Sequence, residues 1–235
     1  MAKKLLIIGG ASLVGSTIIN YAKDNYEIFA TENNTPVNNP KVSSIKLDLI
    51  KDKKQIIDYI KKIKPDSVIH TVAFPNVDFC ESNHELTDLL HVEITKEISE
   101  ICSDINSKLI YFSTDAVFDG NKSGIYNELD KPNPISYYGK TKLLGENYIK
   151  KNSNKFNYCI GRIFSFTSKK QKKSYFIPSL IDKLNSSRKK IWFTNVNHYR
   201  DFLIDDDIVN GIKKLLIYRA TGIYNICSGK KINLI

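Results

Sequence analysis

The chain opens on a short apolar run, Lys4 to Ile8, that breaks at Gly9-Gly10-Ala11-Ser12-Leu13-Val14-Gly15 and resumes with helical spacing at Val14, Ile18 and Ala22. A run this short is too brief for a membrane span and reads as a strand buried on both faces. A buried strand that passes through a glycine turn straight into an amphipathic helix begins a βαβ unit. Such a unit requires a parallel neighbour reached by a right-handed crossover, with the helix lying on one face of the sheet.

The same alternation continues. Tyr26 to Thr31 and Val42 to Leu47 read as the second and third strands. Asp52 and Gln55 have capping-box spacing and open a helix whose Ile56, Ile57, Ile60 and Ile63 form one face, ended by Pro65-Asp66. Ser67 to Ala73 is a fourth strand, a helix carrying Leu90, Ile94, Ile98 and Ile101 follows, and Lys108 to Ser113 is a fifth strand. The fold class is therefore α/β, a Rossmann-type doubly wound parallel sheet. Residues 1–165 form the expected dinucleotide-binding domain. Residues 166–235 form a small, shortened substrate lobe whose strand near 222–226 returns to the main sheet. Ligands of such sheets gather at the carboxyl ends of the strands, so Gly9, Ala73 and Ser113-Thr114 should converge.

Composition narrows the class. With 235 residues, 42% of them hydrophobic and 26% charged, the chain can bury a large core, and nothing in it points to disorder. No 18-residue apolar stretch occurs, and Lys3-Lys4 imitates a signal-peptide start without a cleavage site, so a cytoplasmic protein with no membrane partner is expected. Cys80, Cys102, Cys159 and Cys227 form no C-x-x-C pair and read as reduced, mostly buried thiols. His70, His84, His91 and His198 lack metal-ligand spacing, so no metal is expected, and His70 reads as packed within its strand. The Asn185-Ser186-Ser187 triplet is a chance match in an Asn-rich chain. The net charge of +10 is spread over helix faces, and the run Lys169-Lys170-Gln171-Lys172-Lys173 reads as a solvated loop. No nucleic-acid partner is expected; a positive field also suits a phosphorylated small molecule.

The glycine turn has the placement of a dinucleotide fingerprint, since it follows a strand and opens a helix. Its amides and the helix N-terminus would hold a pyrophosphate. Ser12 stands where the middle glycine of that fingerprint would be, which requires a negative φ or a hydroxyl that joins in; the alternative is a turn that merely packs tightly. Glu32, seventeen residues past Gly15, can accept hydrogen bonds from ribose hydroxyls and repel a 2′-phosphate, or can sit solvated at a loop edge. It leans the cofactor towards NADH over NADPH. Asp48 is placed to meet the adenine amino group.

Ser113 to Glu146 carries the chemistry. Tyr138 and Lys142 are four residues apart and share one helical face, where an ammonium beside a phenol lowers the phenol pKa towards neutrality. A proton donor fit for carbonyl chemistry results, and the Thr114 hydroxyl is placed to bind the same oxygen. Of the 13 tyrosines only Tyr138 has a lysine four residues on, yet so short a motif also fits an exposed helical pair or a retired site.

These residues resemble the extended short-chain dehydrogenase/reductase superfamily, and within it the dTDP-4-dehydrorhamnose reductases, over Lys4 to about Ser228. The resemblance is carried by His70-Thr71-Val72-Ala73-Phe74-Pro75-Asn76-Val77-Asp78 through Glu81, and by Ser113-Thr114-Asp115-Ala116-Val117-Phe118-Asp119-Gly120. Glu128, Pro134, Tyr138-Gly139-Lys140-Thr141-Lys142 through Glu146, Arg200-Asp201-Phe202 and Asp206-Asp207 follow in order. It implies an NAD(P)H-dependent reductase of a nucleotide-linked 4-keto sugar, with Thr114, Tyr138 and Lys142 catalytic. Gly9, Gly10, Ala11, Ser12, Leu13, Val14, Gly15, Glu32, Asp48, Leu49, Val72, Ala73, Phe74 and Ser113 would hold the cofactor together with Tyr138 and Lys142. Asp115 and Arg200 would touch the substrate, and family habit implies a homodimer. The chain departs from the pattern at Ala116, where such reductases usually carry tyrosine and related dehydratases a glutamate, and at His91, where asparagine is common. Relatives continue well past the last strand; a natural short form, a truncation or a partner-completed site all fit the end at Ile235. Two alternatives stay open: a cofactor-binding regulatory subunit without turnover, like the methionine adenosyltransferase β subunit, and a nucleotide-sugar epimerase.

Overall fold

The computed structural model describes residues 2–152, 156–169, 171, 173, 175–186, 199–217 and 220–233. His198, Lys170, Lys172, Ser187 and Ile235, named above, lie outside them. The strands are β1 (Lys3–Ile8), β2 (Tyr26–Glu32), β3 (Val42–Lys46), β4 (Ser67–His70), β5 (Lys108–Thr114), β6 (Tyr158–Ile163), β7 (Tyr199–Arg200), β8 (Gly222–Ile226) and β9 (Ile232–Asn233). The helices are α1 (Leu13–Ala22), α2 (Lys53–Ile63), α3 (Val77–Ser82), α4 (His84–Asp88), α5 (Ile94–Asp104), α6 (Tyr137–Lys151), α7 (Phe176–Asn185) and α8 (Asp205–Ile217). Seven strands form one parallel sheet in the order β3-β2-β1-β4-β5-β6-β8, and β7 pairs antiparallel with β9.

Alternate residues of each central strand feed two separate cores. Leu5 and Ile7 of β1 pack with Ile18 and Ile19 of α1 and with Ile208 and Ile212 of α8. Leu6 and Ile8 pack on the opposite face with Ile56 and Ile60 of α2, Ile94 and Ile98 of α5 and Ile149 of α6. A sheet buried on both sides needs strands that are apolar throughout, which is why β1 reads as a continuous run rather than an alternation. The doubly wound Rossmann-type architecture follows directly. Across the sheet, Ile8 lies beside His70, His70 beside Tyr111, Ser113 beside Arg162, and Arg162 beside Asn225. The carboxyl ends of these strands therefore lie along one edge of the sheet. Helix α7 buries none of its side chains and leaves Phe176, Ile181 and Leu184 exposed.

Three local expectations are corrected. β4 ends at His70 rather than Ala73. Thr71 still donates its N–H to the Ile8 carbonyl, but its hydroxyl turns to the Ile8 and Gly9 carbonyls at 2.9 and 3.1 Å, and the chain leaves the ladder. The single helix expected around Leu90 to Ile101 is divided: a π-helical turn over Leu89–Glu93 separates α4 from α5. Such widened turns cluster at functional sites, and this one carries His91. Asp52 caps α2 by position only, because its backbone (φ −119°, ψ 33°) lies outside the extended conformation an N-cap uses and its carboxylate makes no cap bond. The helix ends instead on Lys64 in the left-handed region (φ 48°), just before Pro65. No described helix is long and apolar enough to cross a membrane. All four thiols are free, and Cys80, Cys102 and Cys159 are buried.

Candidate active site

The glycine turn is shaped by contacts that only glycines permit. Gly9 has φ +89°, and a Cβ there would lie 2.6 Å from both Thr71 Oγ1 and Val72 Cγ2. A Cβ at Gly15 would run into the Gly9 carbonyl oxygen and lie 2.9 Å from Ser12 Oγ, so the first turn of α1 sits directly on the loop. Ser12 meets both conditions set by the sequence: its φ is −65°, and its hydroxyl accepts the Gly15 N–H at 2.9 Å as the N-cap of α1. The same hydroxyl shares a 2.9 Å hydrogen bond with Thr71 Oγ1, tying the glycine turn to the end of β4. Gly9 and Gly10 donate to the Thr31 hydroxyl and carbonyl at 2.9 and 2.8 Å. Among the described residues the Leu13 and Val14 amides meet no acceptor and are left as first-turn donors of α1, the groups through which a helix N-terminus receives phosphate.

Glu32 ends β2, with one carboxylate oxygen accepting the Val37 N–H at 2.6 Å, which leaves the other oxygen for a ligand. Asp48 lies two residues past β3 and accepts the Ile50 N–H at 3.1 Å, so part of its role is to shape its own turn. Leu49 is buried in the core beneath that turn. Val72 lies against Gly9, Ala73 and Phe74 continue the loop after β4 towards His91, and Ser113 near the end of β5 has a buried hydroxyl without a partner among the described residues. A glycine cradle and a buried hydroxyl without a partner among the described residues, at the carboxyl ends of β1 and β5, fit a dinucleotide.

The second half of the site forms where β5 meets α6. Thr114 ends β5 and its hydroxyl accepts the Ala116 N–H while donating to Asp115 Oδ1, both at 3.1 Å. That turn presses on α6 at Gly139, where a Cβ would collide with the Ala116 carbonyl oxygen. The close approach sets Thr114 beside Tyr138, near enough to act on its phenol. Ser136 caps α6 by accepting the Gly139 N–H at 3.1 Å, and Glu81 of α3 accepts the Tyr137 N–H at 2.6 Å. One turn on, Lys142 is buried with its Nζ 4.1 Å from the centroid of the Tyr111 ring.

The electrostatics correct one expectation. Burial first, and then the Asp115 carboxylate, pushes the Tyr138 phenol up rather than down, with Thr114 opposing. Burial also draws Lys142 down to about 7, against the pull of Glu146. The expected lowering assumed an ammonium close to the phenol in a polar setting; here burial disfavours both charged forms. Asp115 is likewise raised by burial, while Thr114 and the charge of Arg200 work the other way. Arg200, on β7, is exposed and electrostatically coupled to Asp115, so the two expected substrate residues share one neighbourhood.

Sequence reasoning missed several residues. His91 Nε2 accepts the Phe74 N–H at 2.8 Å, which fixes Nδ1 as the protonated nitrogen that donates to Thr141 Oγ1 at 2.9 Å. Thr141 in turn donates to the Tyr138 carbonyl at 3.0 Å, and the His91 ring stands edge-on to Tyr138 with centroids 5.7 Å apart. One neutral imidazole thus joins the loop after β4 to the first turn of α6. The sequence marks His91 only as a departure from the asparagine common at that position. Thr31 and Thr71 carried no signal beyond lying at strand ends. His70 is packed as expected, 1% exposed and bonded to Thr95 Oγ1 at 3.2 Å.

The sequence model of the RmlD substrate binding domain matches residues 3–191. The probable low-salt glycan biosynthesis reductase Agl14 of Haloferax volcanii is 36% identical over 101 residues, 43% of this chain and 34% of that protein. The methionine adenosyltransferase 2 subunit beta of Xenopus laevis is 31% identical over 153 residues, 65% of this chain and 44% of that protein. The matched stretches thus span less than half the length of these two curated relatives. Among solved structures, a hypothetical dTDP-4-dehydrorhamnose reductase from Sulfolobus tokodaii superimposes with a TM-score of 0.84 at 28% identity, covering 98% of this chain and 78% of that one.

Proposed function

Because the chain belongs to the RmlD substrate binding domain family, of the extended short-chain dehydrogenase/reductase type, we propose that it is a nicotinamide-dependent reductase of a nucleotide-linked 4-keto sugar. The observation that carries this reading is the meeting of Thr114 and Tyr138 across the Ala116–Gly139 contact, with Lys142 one turn along the same helix face.

Gly9 to Gly15 and the open Leu13 and Val14 amides would hold the pyrophosphate, Glu32 a ribose, and Ser113 and Lys142 the nicotinamide end. A bound reduced nicotinamide supplies the hydride. Tyr138 is kept protonated by its burial, which is the state a donor needs when a carbonyl oxygen gains charge. The Thr114 hydroxyl, once it turns from Asp115 Oδ1, offers a second hydrogen bond to that oxygen, and Lys142 offsets the charge left on the phenolate. Asp115 and Arg200 orient the substrate, the guanidinium toward its diphosphate. Glu32 favours NADH over NADPH, since its free oxygen repels a 2′-phosphate.

A second reading has its own support. The similarity to the methionine adenosyltransferase 2 subunit beta extends over more of this chain than that to the glycan biosynthesis reductase. Ala116 also leaves the site without the aromatic wall of a typical reductase. In that reading the crevice binds cofactor as a regulatory subunit and does not turn over. The test is loss of reduced-cofactor absorbance with a panel of nucleotide-linked 4-keto sugars, alongside cofactor affinity. Turnover with any of them supports the reductase; tight cofactor binding with no turnover across the panel supports the regulatory subunit.

A further inference from the structure

We infer that the buried Glu146–Arg162 ion pair is the electrostatic partner of Lys142: the Glu146 carboxylate, one helical turn beyond, favours the charged form of the lysine on the Tyr138 face of α6. This rests on the reductase reading and says how Lys142 is kept fit for its part in it.

Tyr138, Lys142 and Glu146 follow one another at four-residue steps, so they form a single ridge on α6, each beside the next. Glu146 is 0% exposed and Arg162 1%, and the guanidinium grips the carboxylate through Nε at 2.9 Å and Nη2 at 2.7 Å. Arg162 belongs to β6, and its guanidinium carbon lies 5.1 Å from the centroid of the Phe118 ring. The carboxylate is thus clamped from the sheet side while it stays on the lysine's own ridge. Buried ion pairs rarely out-stabilise apolar residues of the same size, and Arg162 Nη1 finds no partner among the described residues. A strut between α6 and β6 would be better built from hydrocarbon.

The other groups that face Lys142 cannot supply the negative charge. Tyr111 of β5 presents a ring face, which favours an ammonium, and its own phenol is raised by burial. His70 of β4 and His91 of the π-helical turn are held neutral by burial, and the Cys80 thiol of α3 is pushed up by it. Gly145 makes the arrangement possible, since a Cβ there would lie 2.8 Å from the Tyr111 hydroxyl. Burial pulls Lys142 towards its neutral form and Glu146 opposes it, in agreement with the geometry.

The test uses Glu146→Gln and a paired Glu146→Leu, Arg162→Met variant of the full chain, with reduced-cofactor affinity and turnover followed from mildly acidic to alkaline pH. Lys142 is needed charged, so both quantities hold below its pKa and fall above it. Removing a carboxylate one turn away moves that alkaline limb to lower pH by roughly one unit or more. Should Gln leave Arg162 unpaired and the fold fail, the paired variant decides, because apolar replacement of both partners is tolerated. A limb that stays in place in a folded variant overturns the inference, whereas loss of stability alone would mark a mere strut. The affinity limb needs no turnover, so a chain that reduces no 4-keto sugar defeats the reductase reading and still leaves the role of Glu146 open to this measurement.

Discussion

Gly139→Ala asks how much of the site depends on one close approach. The new Cβ would meet the Ala116 carbonyl oxygen well inside van der Waals contact and lie 3.0 Å from Pro134 Cβ. Ordinary contact then requires the Thr114–Val117 turn and α6 to separate by about 1 Å, a displacement that by itself can cost about a hundredfold in rate. Two terms act on stability. Overpacking costs about 1–3 kcal/mol, while replacing a glycine inside a helix gains about 1 kcal/mol. The net loss is therefore at most about 2 kcal/mol, or roughly 4–8 °C in Tm for a chain of this size. Turnover should fall by one to two orders of magnitude while far-ultraviolet circular dichroism stays native and cofactor affinity changes little, because the glycine turn lies on another loop. Native turnover in Gly139→Ala would refute the reasoning, because it would mean that Thr114 and Tyr138 need not be held together.

The remaining predictions concern the cofactor side and the buried imidazoles. Ser12→Ala removes the N-cap bond to Gly15 and the link to Thr71; it should cost about 1 kcal/mol in urea unfolding and weaken cofactor binding. Glu32→Ala should narrow the preference for NADH over NADPH in steady-state kinetics, and an unchanged ratio would remove Glu32 from the ribose site. His91→Phe leaves the Phe74 N–H without its acceptor and should cost about 1–3 kcal/mol, with a larger rise in cofactor KM than in substrate KM. His70 and His91 are drawn by burial to about 3 and about 2, below the ordinary value of 6.5. Their neutral forms favour the folded chain, so this stability is complete above pH 6.5 and is lost as pH falls below it. The slope reaches about 1.4 kcal/mol per pH unit for each residue. Urea midpoints that stay flat down to pH 5 would contradict it.

Much of the sheet was legible because its signal is local. Lys4 to Ile8 and Lys108 to Ser113 are apolar on both faces, and only a doubly covered parallel sheet buries them. The glycine turn was legible because its steric demands act between near neighbours, Gly9 against Gly15. What escaped depends on partners far away in sequence. Thr71 leaves β4 to bond the Ile8 and Gly9 carbonyls, some sixty residues back. His91 gains its part from Phe74 on one side and Thr141, fifty residues on, on the other, and the π-helical turn that aims it breaks no hydrophobic period. The direction of the Tyr138 shift was misjudged for the same reason: four-residue spacing reports the neighbouring lysine and says nothing of how deeply both are buried.

The most direct measurement of whether the Tyr138 hydroxyl delivers the proton is Tyr138→Phe, followed for turnover and for reduced-cofactor affinity in the same preparation. Turnover should fall by about a hundredfold or more, with affinity close to native, because the ring remains and only the acidic hydroxyl is lost. Native turnover in the phenylalanine variant would contradict it.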